Sequence, residues 1–153
     1  MRSVRVAFGL ILTLIFTYAA APVMAEIEQD SSVGLKHDLI YFVMPDRYRN
    51  GDLSNDDLSG YNPSHTAFFH GGDLKGLTGN CQDDDGLARL KNLGFTAIWL
   101  TPLVVQQPST DGGAGYHGYW GVDFLNVDPH LGTNQDLLLL SECAKKLNIK
   151  LIS

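Results

Sequence analysis

Apolar positions along the chain fall into short runs and helical stripes that alternate. Residues 38–44, Asp-Leu-Ile-Tyr-Phe-Val-Met, form an almost unbroken apolar run ended by Pro45. Such a run, with aromatic and β-branched side chains, predicts a buried strand. Residues 86–93 place Leu87, Leu90 and Leu93 on one side of a helix, and Gly94 is suited to end it. A second strand is predicted over residues 95–101, stopped by Pro102. Thr133 and Asp136 then stand at capping-box spacing ahead of a stripe of Leu137, Leu140, Cys143, Ala144 and Leu147. Lys145 and Lys146 sit where positive charge suits a helix C-terminus. Asn148 leaves this helix, and residues 149–152 open a third strand.

Residues 49–80, rich in Gly, Asn, Asp and Ser with little periodicity, and residues 103–132, with glycines at 112, 113, 115, 118 and 121, are both predicted as long loops. Loops of this size in a compact domain need a reason, such as a bound ion or a substrate wall. Strand, helix, strand, helix, strand predicts right-handed crossovers around a parallel sheet. Both long loops leave the C-terminal ends of strands, where (β/α)8 barrels build their active sites. The expected fold class is therefore α/β, the N-terminal portion of a TIM (β/α)8 barrel, incomplete, with about three strands. A closed barrel takes about 250 residues, and three parallel strands leave edges unpaired. The chain reads as the first third of something larger.

The amino terminus changes the picture of where such a domain works. Arg2 and Arg5 precede an apolar stretch over residues 6–18, and Val23-Met24-Ala25 offers small side chains to a signal peptidase. This is a secretory signal pattern over residues 1–25, with cleavage expected after Ala25 and a mature part of 26–153. The competing reading, a membrane anchor, needs about 20 apolar residues, and Pro22 and the polar residues 26–30 interrupt the run. A secreted or periplasmic location is expected. The 153 residues carry a formal charge of −6, which loss of Arg2 and Arg5 takes to −8. An acidic chain without clustered Lys and Arg is an unsuitable nucleic-acid partner. The 44% apolar content excludes a disordered chain. Two cysteines, Cys81 and Cys143, are too few to frame a disulfide scaffold. Export permits a bridge between them, but Cys143 among apolar helix neighbours favours a buried thiol.

Two loops hold candidate chemistry. In the first, Asn50, Asp52, Asn55 and Asp56 surround Gly51, and Asp73 follows across the loop. Calcium takes six to eight oxygen ligands of these types, although the same residues also make ordinary turns. The spacing is not that of an EF-hand. His65 and His70 have no nearby cysteine and make a poor case for zinc. In the second loop, Tyr116, His117, Tyr119 and Trp120 are interleaved with Gly115, Gly118 and Gly121. Flat rings beside glycines suit a platform for the apolar face of a sugar, or else anchor the loop.

Three ordered blocks carry a resemblance: residues 40–52, residues 69–76, and residues 94–102 with 115–120. Over residues 38–152 the chain resembles the N-terminal part of the alpha-amylase family of glycoside hydrolases. That resemblance implies retaining hydrolysis of alpha-1,4-glucosidic bonds in starch and maltooligosaccharides, through a covalent glycosyl-enzyme and carboxyls about 5–5.5 Å apart. It makes Tyr119 the ring that stacks on the sugar at the cleavage subsite, His117 a ligand of that sugar's hydroxyls, and Trp120 their aromatic neighbour in the cleft. It also implies a structural calcium held by Asn50, Asp52, Asn55, Asp56 and Asp73 with the Gly71 carbonyl. Asp46 and Asp123 match positions that read as structural, tying backbone or Arg47.

The family's catalytic acids lie on later strands, so no catalytic residue is assigned within these 153 residues, and the chain alone is expected to be inactive. The run Asp83, Asp84, Asp85 reads as a solvated face, and Cys81-Gln82 departs from the family's usual apolar approach to the helix. A glucanotransferase of the same family remains the alternative enzyme. A non-catalytic glucan-binding module and a truncated product are the readings from other classes.

Overall fold

The computed structural model describes residues 34–153, so the signal-peptide reading of residues 1–25 lies outside the described part. Three strands form a parallel sheet: β1 (Ile40–Val43), β2 (Ala97–Leu100) and β5 (Lys150–Ile152), in the order β1-β2-β5. The register pairs Phe42 with Trp99 and Trp99 with Ile152. Between β1 and β2 run two helices, α1 (Leu74–Thr78) and α2 (Gly86–Asn92); α3 (Asn134–Lys146) connects toward β5. Strand pairing is parallel because each connection carries a helix back across one face of the sheet.

That face is the core. Val43, Ile98 and Leu100 from the sheet meet Leu74 and Leu77 of α1, Leu87 and Leu90 of α2, and Leu140, Cys143 and Ala144 of α3. Leu74, Leu77, Leu87 and Leu140 are fully enclosed, each contributing about 2 kcal/mol by removal of its side chain from water. Among the described residues the opposite face is open. Phe42 and Trp99 touch edge to face, 5.0 Å between centroids, and each is about half exposed. Among the described residues one layer of helices covers the three strands, so the run expected as a buried strand leaves Ile40 and Phe42 exposed on its other side.

α3 begins as predicted. Thr133 accepts from the Asp136 N–H, and the Asp136 carboxylate accepts from the Thr133 N–H. In α2, Leu87 and Leu90 are buried but Leu93 is exposed, so the third stripe position fails. Leu93 sits at the C-cap, where the chain turns out of the helix at Gly94, φ +98°. Asp85 does not simply face water, because Arg49 pairs with it and the Asn80 N–H donates to it.

Three features depart from the sequence reading. The segment 49–80 contains α1, capped by Asp73, whose carboxylate accepts from the Gly76 N–H. The segment 103–132 contains an antiparallel hairpin of β3 (Val104–Gln106) and β4 (Gly121–Val127), with bulges that shift its register. Cys81 and Cys143 form a disulfide, tying the α1–α2 connection to α3, where a buried thiol was favoured.

Candidate functional site

The loops that follow β1 and β2 meet beyond the C-terminal edge of the sheet. After β1 the chain turns through Pro45–Arg47. Asp46 is buried there and accepts from the His70 and Gly71 N–H groups and from Arg47 Nε at 2.6 Å. The Arg47 guanidinium donates to the Thr66 and Phe68 carbonyls and lies 4.0 Å over the Tyr116 ring. A cation over an aromatic face is attractive, so Arg47 joins the first loop to the second. Asp46 thus ties backbone and Arg47, as read from the sequence. Asp123 is partly exposed and accepts instead from the Leu125 N–H and from the Asn126 side chain.

The second loop is folded tightly onto the end of β2. Gly118 has φ +87°, and a Cβ there would lie 2.0 Å from the Pro102 carbonyl oxygen. His117 turns its Nδ1 inward to accept from the Tyr119 N–H at 3.0 Å. An accepting Nδ1 leaves the proton on Nε2 in the neutral ring. Burial lowers the His117 pKa from its ordinary value, which favours this neutral form near pH 7. The His117 and Tyr119 rings lie 5.8 Å apart at 26°, and Trp120 meets His117 edge to face at 4.7 Å. Tyr119 is 62% exposed and Trp120 43%. The structure therefore brings His117, Tyr119 and Trp120 together as two open apolar rings beside a hydrogen-bond donor.

The first loop is organised by carboxylates. Asp73, 1% exposed, accepts from the Gly51 and Asp52 N–H groups on one oxygen and from Gly76 on the other. The Asp52 carboxylate pairs with Lys75, which with the Ser54 hydroxyl and N–H holds it far below the usual carboxylate range. The Asn50 amide donates to both Asp56 oxygens, and a Cβ on Gly71 would touch both residues. Asn55 donates to the His130 carbonyl, while its own Oδ1 is buried with no donor. A buried amide oxygen without a partner is costly. Among the described residues no three His, Cys, Asp or Glu side chains converge on one point. A cation here would rely on amide, backbone and single carboxylate oxygens, the hard donors calcium accepts. Asn50, Asn55, Asp56 and Gly71 fit that need. Asp73 keeps about one of its four lone-pair sites free, and the Asp52 oxygens already accept from Ser54 and Lys75.

Sequence reasoning read Arg47 only as a tie for a buried carboxylate, missing its reach to Tyr116 across 69 positions, and passed over Gln106, which has no pattern around it. It also missed the stack of Phe69 on His130, 3.8 Å apart, with His130 held by Asp128 and the Ser59 carbonyl. No local signal marks contacts of such long sequence separation.

Comparison with known proteins places these loops. The family model "Alpha amylase, catalytic domain" matches residues 42–153. A cyclomaltodextrin glucanotransferase of Klebsiella oxytoca is 34% identical across 98% of this chain and 23% of its own length. The periplasmic alpha-amylase of Escherichia coli is 33% identical across 84% of this chain and 20% of its own. Among solved structures, the alpha-amylase of Geobacillus thermoleovorans complexed with acarbose is 42% identical, with a TM-score of 0.61 over 75% of this chain and 22% of that one. The cyclomaltodextrin glucanotransferase CldA is 40% identical, with a TM-score of 0.65 over 75% of this chain and 24% of that one. The chain spans less than a quarter of the length of each of these relatives. Its three parallel strands are part of the family's TIM barrel rather than a closed one. On the match over residues 42–153, the chain belongs to the alpha-amylase family of glycoside hydrolases and transferases.

Proposed function

We propose that this chain supplies part of the glucan-binding cleft of an exported, retaining alpha-glucan hydrolase acting on alpha-1,4 bonds. The carrying observation is the open cluster of His117, Tyr119 and Trp120 at the C-terminal edge of the sheet. The Tyr119 and Trp120 faces would stack on a sugar ring, and the His117 Nε2–H would donate to a hydroxyl oxygen. A relative solved with acarbose supports this substrate class. The periplasmic address of one relative and the Cys81–Cys143 bridge support export, since such bridges persist in oxidising compartments. Relatives named as glucanotransferases keep transfer to a sugar hydroxyl as the second reading.

In the intact enzyme, Tyr119→Ala is expected to lower kcat/KM on maltohexaose about tenfold, or about 1.4 kcal/mol of lost transition-state binding. Steady-state kinetics decide this, and unchanged kcat/KM would remove Tyr119 from the cleft. Analysis of the products, free reducing sugar against cyclic or transferred glucan, separates hydrolase from transferase.

Asn50, Asn55, Asp56, Asp73 and the Gly71 carbonyl would hold a structural calcium, with Asp52 beside them. The support is the partnerless buried Asn55 Oδ1 next to the Asp56 carboxylate loop. The ion would supply positive charge that locks this loop; the chemistry of bond cleavage does not pass through it. A ligand bound only by the native state adds about 2.7 kcal/mol at a hundredfold excess over its Kd. Chelation of the intact enzyme should therefore lower its Tm by several degrees, and calcium should restore it. A Tm unchanged after metal analysis confirms depletion would reject the site.

A further inference from the structure

The Tyr119 and Trp120 rings are largely open to solvent. Their direction is thus set by the backbone that carries them, and one buried side chain holds that backbone. Gln106, 7% exposed on β3, donates from Nε2 to the Gly118 carbonyl at 3.1 Å and to the Val104 carbonyl. Its Oε1 accepts from the Trp120 N–H at 2.7 Å. The Gly118 carbonyl belongs to the peptide before Tyr119, and the Trp120 N–H to the peptide after it. Peptide groups are planar, so only φ and ψ of Tyr119 lie between them. Holding both planes fixes both angles, and with them the direction of the Tyr119 Cα–Cβ bond.

Gln106 is itself immobilised. Its N–H donates to Asp128 Oδ2 at 2.8 Å, and a Cβ on Gly115 would lie 2.5 Å from its own Cβ. Both amide hydrogens and the amide oxygen are engaged, so the carboxamide has no second orientation that keeps all three bonds.

We propose that Gln106 is a positioning residue for glucan binding: its buried carboxamide clamps the two peptide groups on either side of Tyr119 and so aims the Tyr119 and Trp120 rings at the sugar. This rests on the cleft reading given above. It explains why a polar side chain occupies a buried place on β3, where a hydrocarbon of equal size would leave the Gly118 carbonyl and the Trp120 N–H unpaired.

The test is a double-variant cycle in the intact enzyme, read as kcat/KM on maltohexaose and as Tm. Gln106→Met should lower kcat/KM about tenfold, since misplacement of about 1 Å can cost up to a hundredfold. In a Tyr119→Ala, Trp120→Ala background the same substitution should change kcat/KM less than about twofold while lowering Tm as much as before, because a residue acting through others couples to them. Independent, multiplying losses would overturn the proposal and leave the cleft reading intact. Unchanged kcat/KM in the Tyr119→Ala, Trp120→Ala enzyme would overturn both. Gln106→Glu keeps the acceptor for Trp120 and loses the donor to Gly118. Its kcat/KM relative to wild type should rise as pH falls, because protonation of the new carboxyl restores a donor. A ratio constant with pH would overturn the proposal even if Gln106→Met does not fold.

Discussion

Removing the Cys81–Cys143 bridge, as Cys81→Ser with Cys143→Ser, is expected to cost the intact enzyme about 4 kcal/mol of stability. The two cysteines are 62 positions apart, and a crosslink over a long loop takes much entropy from the unfolded chain. Between them lie α2 and β2 with Leu87, Leu90 and Ile98, so the bridge closes a loop that contains much of the core. Cys143 is buried in the core beside Leu140 and Ala144, so the serine there adds a packing loss to the entropic one. The effect should appear as a lower denaturant midpoint with kcat/KM retained below the transition. Thiol titration of enzyme recovered from the periplasm or medium should find no free thiol from this pair. A free pair, or a midpoint that does not move on reduction, would show that the bridge is absent or without consequence.

The sequence reading went furthest where the signal is local. The Thr133–Asp136 box, the glycine after α2 and, of the expected stripe, Leu140, Cys143 and Ala144 each occupy a few adjacent positions and stand as expected, while Leu137 and Leu147 are half-buried. The hairpin of β3 and β4 escaped because its strands are short, bulged and partly polar. Val104 pairs with Val127 across 23 positions, and β4 exposes Val122, Phe124 and Leu125 instead of alternating. α1 escaped because five residues, Leu74–Thr78, are too few to show a period; its Asp73 cap was read only as a metal donor. The disulfide escaped for a different reason. Apolar neighbours around Cys143 suit a thiol and a bridge equally, and only the fold shows that Cys81 stands 5.6 Å away between Cα atoms.

The candidate site was legible in part for the same reason. His117, Tyr119 and Trp120 are neighbours in sequence, so any fold of the loop keeps them close. Which way they face depends on Gln106, Pro102 and Arg47, which come from other segments. The sequence sets glycines beside the rings of this loop, but the contact that makes one of them indispensable exists only where the loop lies against the end of β2.

Gly118→Ala is therefore expected to lower kcat/KM on maltohexaose about a hundredfold, the loss that misplacement of about 1 Å can produce. Two costs act together. An alanine at φ +87° is held in a left-handed region that costs an L-residue about 1–2 kcal/mol. Its Cβ would also sit 2.0 Å from the Pro102 oxygen, backbone at the end of β2 that cannot give way as a side chain could. Relief requires the turn to lift from β2. That breaks the bond from Gln106 to the Gly118 carbonyl and carries His117, Tyr119 and Trp120 away together. Gly112→Ala is the control. Among the described residues its Cβ would meet only Thr110 Oγ1, at 3.8 Å, and it should keep wild-type kinetics. The core beneath β2 is untouched, so Gly118→Ala should retain most of its helical circular dichroism and its Cys81–Cys143 bridge while losing activity. Wild-type kcat/KM in Gly118→Ala would mean that the turn tolerates displacement, and that its rings do not set the cleft.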